Sequence, residues 1–140
     1  MGLFSFFKKK NAPIKETEIA LPPEAMKWNK MWDMWAHGKI ESSYGDLMTY
    51  QSEVNNGGPS QFFIHVDNVD DVDKVVKAVL SVLPEPLYSN LEAAVSAYKK
   101  YNDTDDDKME EILDDCDSVF YENEYHINEI LEKYAETIEL

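Results

Sequence analysis

A chain of 140 residues is long enough for one domain with its own buried core. Its 28 Asp and Glu outnumber 13 Lys, no Arg is present, and the formal net charge is -15. Binding DNA or RNA requires basic side chains that neutralise phosphates, so this composition excludes a nucleic-acid-binding protein and predicts a basic protein as the partner.

The first ten residues, MGLFSFFKKK, place apolar side chains before three lysines. They are too short for a signal-peptide core or a spanning helix, and one short segment anchors poorly to lipid. Residues 1–22 are therefore predicted to form a flexible basic and apolar tail without stable membrane insertion, ahead of a domain over residues 23–140. The single cysteine, Cys116, excludes an internal disulfide and favours a buried residue in a reducing cytoplasm.

The first predicted helix lies in PPEAMKWNKMWDMWAHG, with a proline in its first turn and Gly38 after its end. Its tryptophans Trp28, Trp32 and Trp35 recur at helical spacing, which favours a buried apolar face over a ligand platform. A second helix is predicted over residues 43–56, where a double glycine stops it.

The segment EVNNGGPSQFF, residues 53–63, is predicted to be a structural corner. Gly57 is expected to take the left-handed conformation that ends a helix, and Pro59 to begin a short helix. A phosphate cradle is excluded because this segment contains no basic residue, whereas a small polar pocket remains the functional alternative. The predicted structural motif comprises Asn56, Gly57, Gly58, Gln61, Phe62 and Phe63.

Helical periodicity continues through the rest of the chain. VDDVDKVVKAVLSVL keeps apolar residues at i, i+3, i+4 and i+7 up to Leu83, Pro84 ends this helix, and Pro86 opens the next. Two more helices are predicted over about 105–116 and about 121–138. Because no alternating strand pair is found, the predicted fold is all-α, a compact single-domain bundle of six to seven helices.

No residue pattern predicts catalysis, a metal site or a cofactor. Asp103, Asp105 and Asp107 match the first, third and fifth positions of a calcium loop, but Lys108 stands where a turn glycine is needed and Asp114 where a bidentate Glu is usual. The histidines are isolated from one another, and none has an identifiable catalytic partner. They are His37, His65 and His126.

The acids of the last two predicted helices share one side of each helix, opposite the apolar side. Like charges at i and i+4 oppose helix formation by a few tenths of a kcal/mol per pair, so their density favours a role in binding. The alternative is a solvated face that only aids solubility. The predicted partner-binding residues are Asp106, Asp107, Glu110, Glu111, Asp114, Asp115, Asp117, Glu132 and Glu136.

Three parts of the chain together resemble the bacterial DNA-mimic protein family, which includes the neisserial DNA-mimic protein and whose members mostly have no assigned function. They are YQSEVNNGGPSQFF at 50–63, DSVFY at 117–121 and INEILEKY at 127–134. The resemblance runs from about residue 40 to the C-terminus. It implies an all-helical fold and, for the named member, an acidic surface that imitates duplex DNA and occupies a DNA-binding protein.

Two hypotheses follow. The first is a non-enzymatic acidic protein whose C-terminal carboxylates engage a basic, DNA-binding partner. The second is an interaction or immunity-type module whose partner reads the tryptophan-rich or double-glycine region, while the acids only solvate. An exposed apolar patch around the tryptophans would favour the second hypothesis. Both hypotheses are compatible with a homodimer.

Overall fold

The computed structural model describes residues 21–69, 71–104 and 107–140, and within them the chain forms five α-helices and no strand. The all-α prediction is confirmed, whereas the prediction of six to seven helices is wrong. The predicted tail lies outside the described residues except for its last two positions. The helices are α1 (Pro23–Ala36), α2 (Ser43–Val69), α3 (Val72–Leu80), α4 (Leu87–Tyr101) and α5 (Lys108–Ala135).

The last helix, α5, is one continuous helix of 28 residues where two helices were predicted. The segment 117–120 contains neither Gly nor Pro to break it. The apolar side also stays in phase, because Phe120 lies four residues after the buried Cys116 and is itself fully buried. At 1.5 Å per residue, α5 is about 42 Å long.

The helix α2 bends at the double glycine. Gly57 is extended, with φ -160°, and Gly58 has φ 80° and ψ -179°, a conformation that is essentially restricted to glycine. The expectation that Gly57 takes the positive φ is wrong, since Gly58 takes it. Pro59 follows at the start of the second half of α2, where its missing N–H costs least.

Aromatic side chains from both halves of α2 form the centre of the core. Phe62 and Phe63 are fully buried. Tyr50 packs edge-on against Phe62 at 5.1 Å between ring centroids and against Phe120 of α5 at 5.5 Å, while Phe63 stacks on Tyr98 of α4 at 4.8 Å. The bend in α2 therefore places its second half where these rings can meet α4 and α5.

The helix α1 packs on the C-terminal end of α5 with its tryptophan side. Trp28, Trp32 and Trp35 are partly buried against the core, in edge-on pairs at 6.1 and 5.3 Å. The ammonium group of Lys27 donates to the backbone carbonyl of Glu136, 3.2 Å away. A lysine so placed satisfies a carbonyl that the helix end leaves without a partner.

We expect Gly58→Ala to lower the free energy of unfolding by about 1 to 3 kcal/mol, because a Cβ makes the φ of 80° unfavourable. The backbone has little room to relax there, since Val54 and Phe62 on either side are fully buried. Urea denaturation followed by circular dichroism measures the change.

The matched control is Gly38→Ala. Gly38 also has a positive φ, 69°, but it is exposed and an added Cβ would have no neighbour within 4 Å. Its exposed turn can relax, so the smaller loss is expected at Gly38. Equal losses of unfolding free energy at the two positions would contradict the interpretation that packing holds residues 57–59 in a fixed bend.

Candidate protein-interaction surface

The solvent side of α5 carries a single acidic face. The face is defined by nine exposed carboxylates that run from the residue before α5 to the residue after it, about 43 Å along the helix axis. Because α5 is continuous, the two groups of acids predicted on separate helices lie on the same side of one helix. The acidic face comprises Asp107, Glu110, Glu111, Asp114, Asp115, Glu122, Glu129, Glu132 and Glu136.

Two tyrosines interrupt the acidic face at its middle. Tyr121 and Tyr125 lie one turn apart and keep 49% and 56% of their surface exposed. A tyrosine ring offers apolar contact area together with a hydroxyl, and rings of this kind are enriched in protein interfaces. Sequence reasoning missed both residues, although aromatic residues at i and i+4 within the polar side of a helix were a readable signal.

The double-glycine bend meets the N-terminal half of α5 at a cleft of about 290 Å³. Glu110, Asp114 and Asp117 lie on one side of it, and residues 57–60 lie on the other. The fold therefore brings together part of the predicted structural motif and part of the predicted partner-binding set. Gly58 lies beside the Asp117 carboxylate, whose Oδ1 would be in ordinary contact with an added Cβ, 4.0 Å away.

Asp117 differs from the other predicted partner-binding residues. It is only partly exposed, and its Oδ1 is enclosed without a hydrogen-bond partner. Burial, and then the negative charge of Asp114, raise the pKa of the Asp117 carboxyl above its ordinary value. Asp117 thus belongs to the bend rather than to the exposed acidic face, while Asp106 lies outside the described residues.

A hydrogen-bond network joins the first half of α2 to the middle of α5. The amide nitrogen of Gln51 donates to Glu124 Oε2 at 3.0 Å and to Asn128 Oδ1 at 2.8 Å. Asn55 also donates to Glu124 Oε2, at 2.6 Å. Gln51 is 6% exposed, and its hydrogen bonds hold α5 against α2. The Glu124 carboxylate is thus already hydrogen-bonded within the protein.

Glu132 and Glu136 form a ridge between two clefts at the C-terminal end of α5. A cleft of about 520 Å³ lies on the α1 side and includes Trp28. A wider groove of about 810 Å³ lies on the other side, against residues 81–84 and His126. Both glutamates are exposed, so a partner could approach their carboxylates from either cleft.

The remaining candidates for chemistry are metal-ligating groups, the histidines and Cys116. Within residues 21–69, 71–104 and 107–140, no group of three or more His, Cys, Asp or Glu side chains is placed to hold a metal ion. His65 and His126 each approach one glutamate on the surface, at 3.5 and 3.7 Å. Cys116 is buried, and burial followed by the charge of Asp115 raises the pKa of its thiol, which disfavours the reactive thiolate.

A membrane-spanning helix is not found in the part of the chain that the structure describes, since no helix there is both long and apolar enough.

We expect Asp117→Asn to stabilise the protein at neutral pH, with a gain that shrinks as the pH falls. A raised native pKa means that the folded chain binds the proton more tightly than the unfolded chain does. The proton's stabilising contribution is fully present below the ordinary Asp pKa of about 3.9 and is lost as pH rises through the raised value. Thermal unfolding from neutral to acidic pH measures the gain.

The control for this prediction is Asp115→Asn, which removes the same charge from an exposed position two residues away. It should give a smaller gain at neutral pH. A gain at Asp117→Asn that does not change with pH would contradict the assignment.

Comparison with known proteins shows which family the chain belongs to. The family model described as DMP19-like protein matches residues 41–138, which is 98 of the 140 residues and includes all of α2 to α5 but not α1. Searches of curated proteins and of solved structures found no match. The chain therefore belongs to the DMP19-like protein family, the DNA-mimic family that its sequence resembles.

Proposed function

We propose that this chain is a non-enzymatic interaction protein that uses the acidic face of α5 to occupy a basic, DNA-binding surface on another protein. One observation carries the proposal: a single continuous helix and the two residues that flank it hold nine exposed carboxylates on one side along about 43 Å. Membership of the DNA-mimic family supports the same function.

The position of the C-terminal acids supports a role in binding. Asp107, Glu110 and Glu111 lie at the N-terminal end of α5, where the helix dipole stabilises negative charge. Glu132 and Glu136 lie at the opposite end, where the dipole disfavours negative charge. Helix stability thus accounts for the first group of acids and not for the second, and recognition of a basic partner accounts for both.

The charge predicts the character of binding. Exposed carboxylates attract a basic surface over about a Debye length, which is about 10 Å at 0.1 M salt and about 3 Å at 1 M. Charge complementarity of this kind mainly raises the association rate and the specificity. Binding through the acidic face should therefore weaken steeply as salt is added.

An exposed apolar patch around the tryptophans would have favoured the second hypothesis, in which the partner reads the tryptophan-rich or double-glycine region. In the described residues the three tryptophans of α1 are partly buried against the core, and the large apolar side chains with the greatest exposure lie elsewhere. The acidic face is therefore the better-supported surface. A salt-resistant partner would still favour the second hypothesis.

The experiment is a pull-down from a lysate of the source cell with the immobilised chain, at about 0.1 M and then about 1 M salt. We expect a DNA-binding protein that elutes as the salt rises and that duplex DNA displaces. Glu110→Lys with Asp114→Lys should lower its recovery severalfold, because the change reverses two adjacent charges of the acidic face.

The matched control is Asp33→Lys with Glu41→Lys, which changes the net charge equally at exposed positions outside α5. It should leave recovery close to that of the unmodified chain. The proposal fails if both double variants reduce recovery equally, or if the partner resists high salt. Light scattering of the same samples tests whether the chain is a homodimer.

A further inference from the structure

The cleft between α1 and the last turns of α5 combines an aromatic wall with carboxylates. It measures about 520 Å³. On the α1 side lie Trp28, Ala25, Asn29 and Glu24, and on the α5 side lie Ala135 and the ridge residues Glu132 and Glu136. An indole beside an apolar floor, with carboxylates at the rim, suits a side chain that is flat, cationic and partly apolar.

The indole of Trp28 is held in place. Its ring meets Trp32 edge-on at 6.1 Å with an interplanar angle of 68°, and it packs against the core. A wall that is fixed before binding loses little entropy when a ligand meets it.

The carboxylates of the cleft are available to a cation. Glu24, Glu132 and Glu136 are exposed, and none of them forms an ion pair with a lysine or histidine among the described residues. The nearby ammonium group of Lys27 donates instead to the backbone carbonyl of Glu136. The C-terminal end of α5 adds the negative end of the helix dipole.

We propose that this cleft binds an arginine side chain of the basic partner, with the guanidinium stacked on Trp28 and hydrogen-bonded to Glu132 or Glu136. The proposal rests on the proposed function, since the arginine belongs to the partner that the acidic face engages. Arginine fits better than lysine because its planar group stacks on an aromatic ring and donates a fork of N–H groups to a carboxylate.

The location of the cleft connects it to the acidic face. Glu132 and Glu136 belong to both, so an arginine seated on Trp28 would fix the partner at the C-terminal end of that face. The family model begins at residue 41, and α1 therefore adds Trp28 and Glu24 to a surface that the matched region holds only in part.

The experiment uses the full chain and two probes, a hexa-arginine peptide and a hexa-lysine peptide, at low salt. Isothermal titration should show the arginine peptide binding about two- to fivefold more tightly, because a guanidinium both stacks flat on the indole and donates a fork of N–H groups to a carboxylate. In ¹H–¹⁵N spectra, the indole N–H resonance of Trp28 should shift more with the arginine peptide. Trp35 provides an internal reference, because its indole N–H already donates to Thr49 at 3.0 Å.

Two variants separate the cleft from the rest of the acidic face. Trp28→Leu should bring the arginine-to-lysine preference close to one, and Glu132→Gln with Glu136→Gln should do the same without disturbing a buried side chain. The control, Glu110→Gln with Asp114→Asn, should weaken both peptides equally and keep the preference.

The outcomes distinguish this inference from the proposed function. Equal affinity for the two peptides, with both weakened by the control variant, would overturn the arginine site and leave the acidic face intact. Absence of any salt-dependent binding would overturn both. A Trp28 resonance that shifts when Lys8, Lys9 and Lys10 are changed to Gln, with no peptide present, would assign the cleft to the chain's own basic segment and overturn the proposal.

Discussion

The structure depends on one constraint, which is that α5 must bury one side along its whole length while the other side stays in water. Its buried residues Leu113, Phe120, Ile127 and Leu131 contact the rest of the core at regular intervals, and α1, α2 and α4 all pack on it. Repulsion among the carboxylates of the other side destabilises the helix by a few tenths of a kcal/mol per pair. Burial of the apolar side offsets this repulsion. A long acidic face therefore needs a helix whose opposite side is buried along its whole length.

The elements that could be predicted from sequence are those in which local signals agree. Pro23 and Gly38 bracket α1, and the valines of α3 keep a helical period. The continuity of α5 is also readable from the sequence, because Cys116, Phe120 and Ile127 lie on the same side of one helix. The prediction of two helices breaks this periodicity at residues 117–120, where the sequence gives no reason for a break. The helix α3 ends at Leu80 rather than Leu83, because residues 81–82 form a turn, and Leu83 is still buried after it.

Other features lay beyond any local signal. Either glycine of the pair could take a positive φ, and no local pattern distinguishes them, whereas in the structure Gly58 takes it. In the sequence, nothing distinguishes Asp117 from the other acids of the helix. Its enclosure depends on a bend nearly 60 residues away in the sequence. The cleft at Trp28 depends on how α1 docks on α5, which no spacing within either helix specifies.

The magnitude of the charge shows why carboxylates alone would make a weak substitute for DNA. Nine acids and the exposed lysines Lys108 and Lys133 leave -7 over about 43 Å, or about one charge per 6 Å. Duplex DNA carries one charge per about 1.7 Å. A surface with less than a third of that density needs further contacts to compete for the same protein. Tyr121 and Tyr125 within the acidic face, and Trp28 at its end, offer aromatic surface that a phosphate backbone lacks. Under the proposed function, contacts with these rings would add to the specificity that charge complementarity gives.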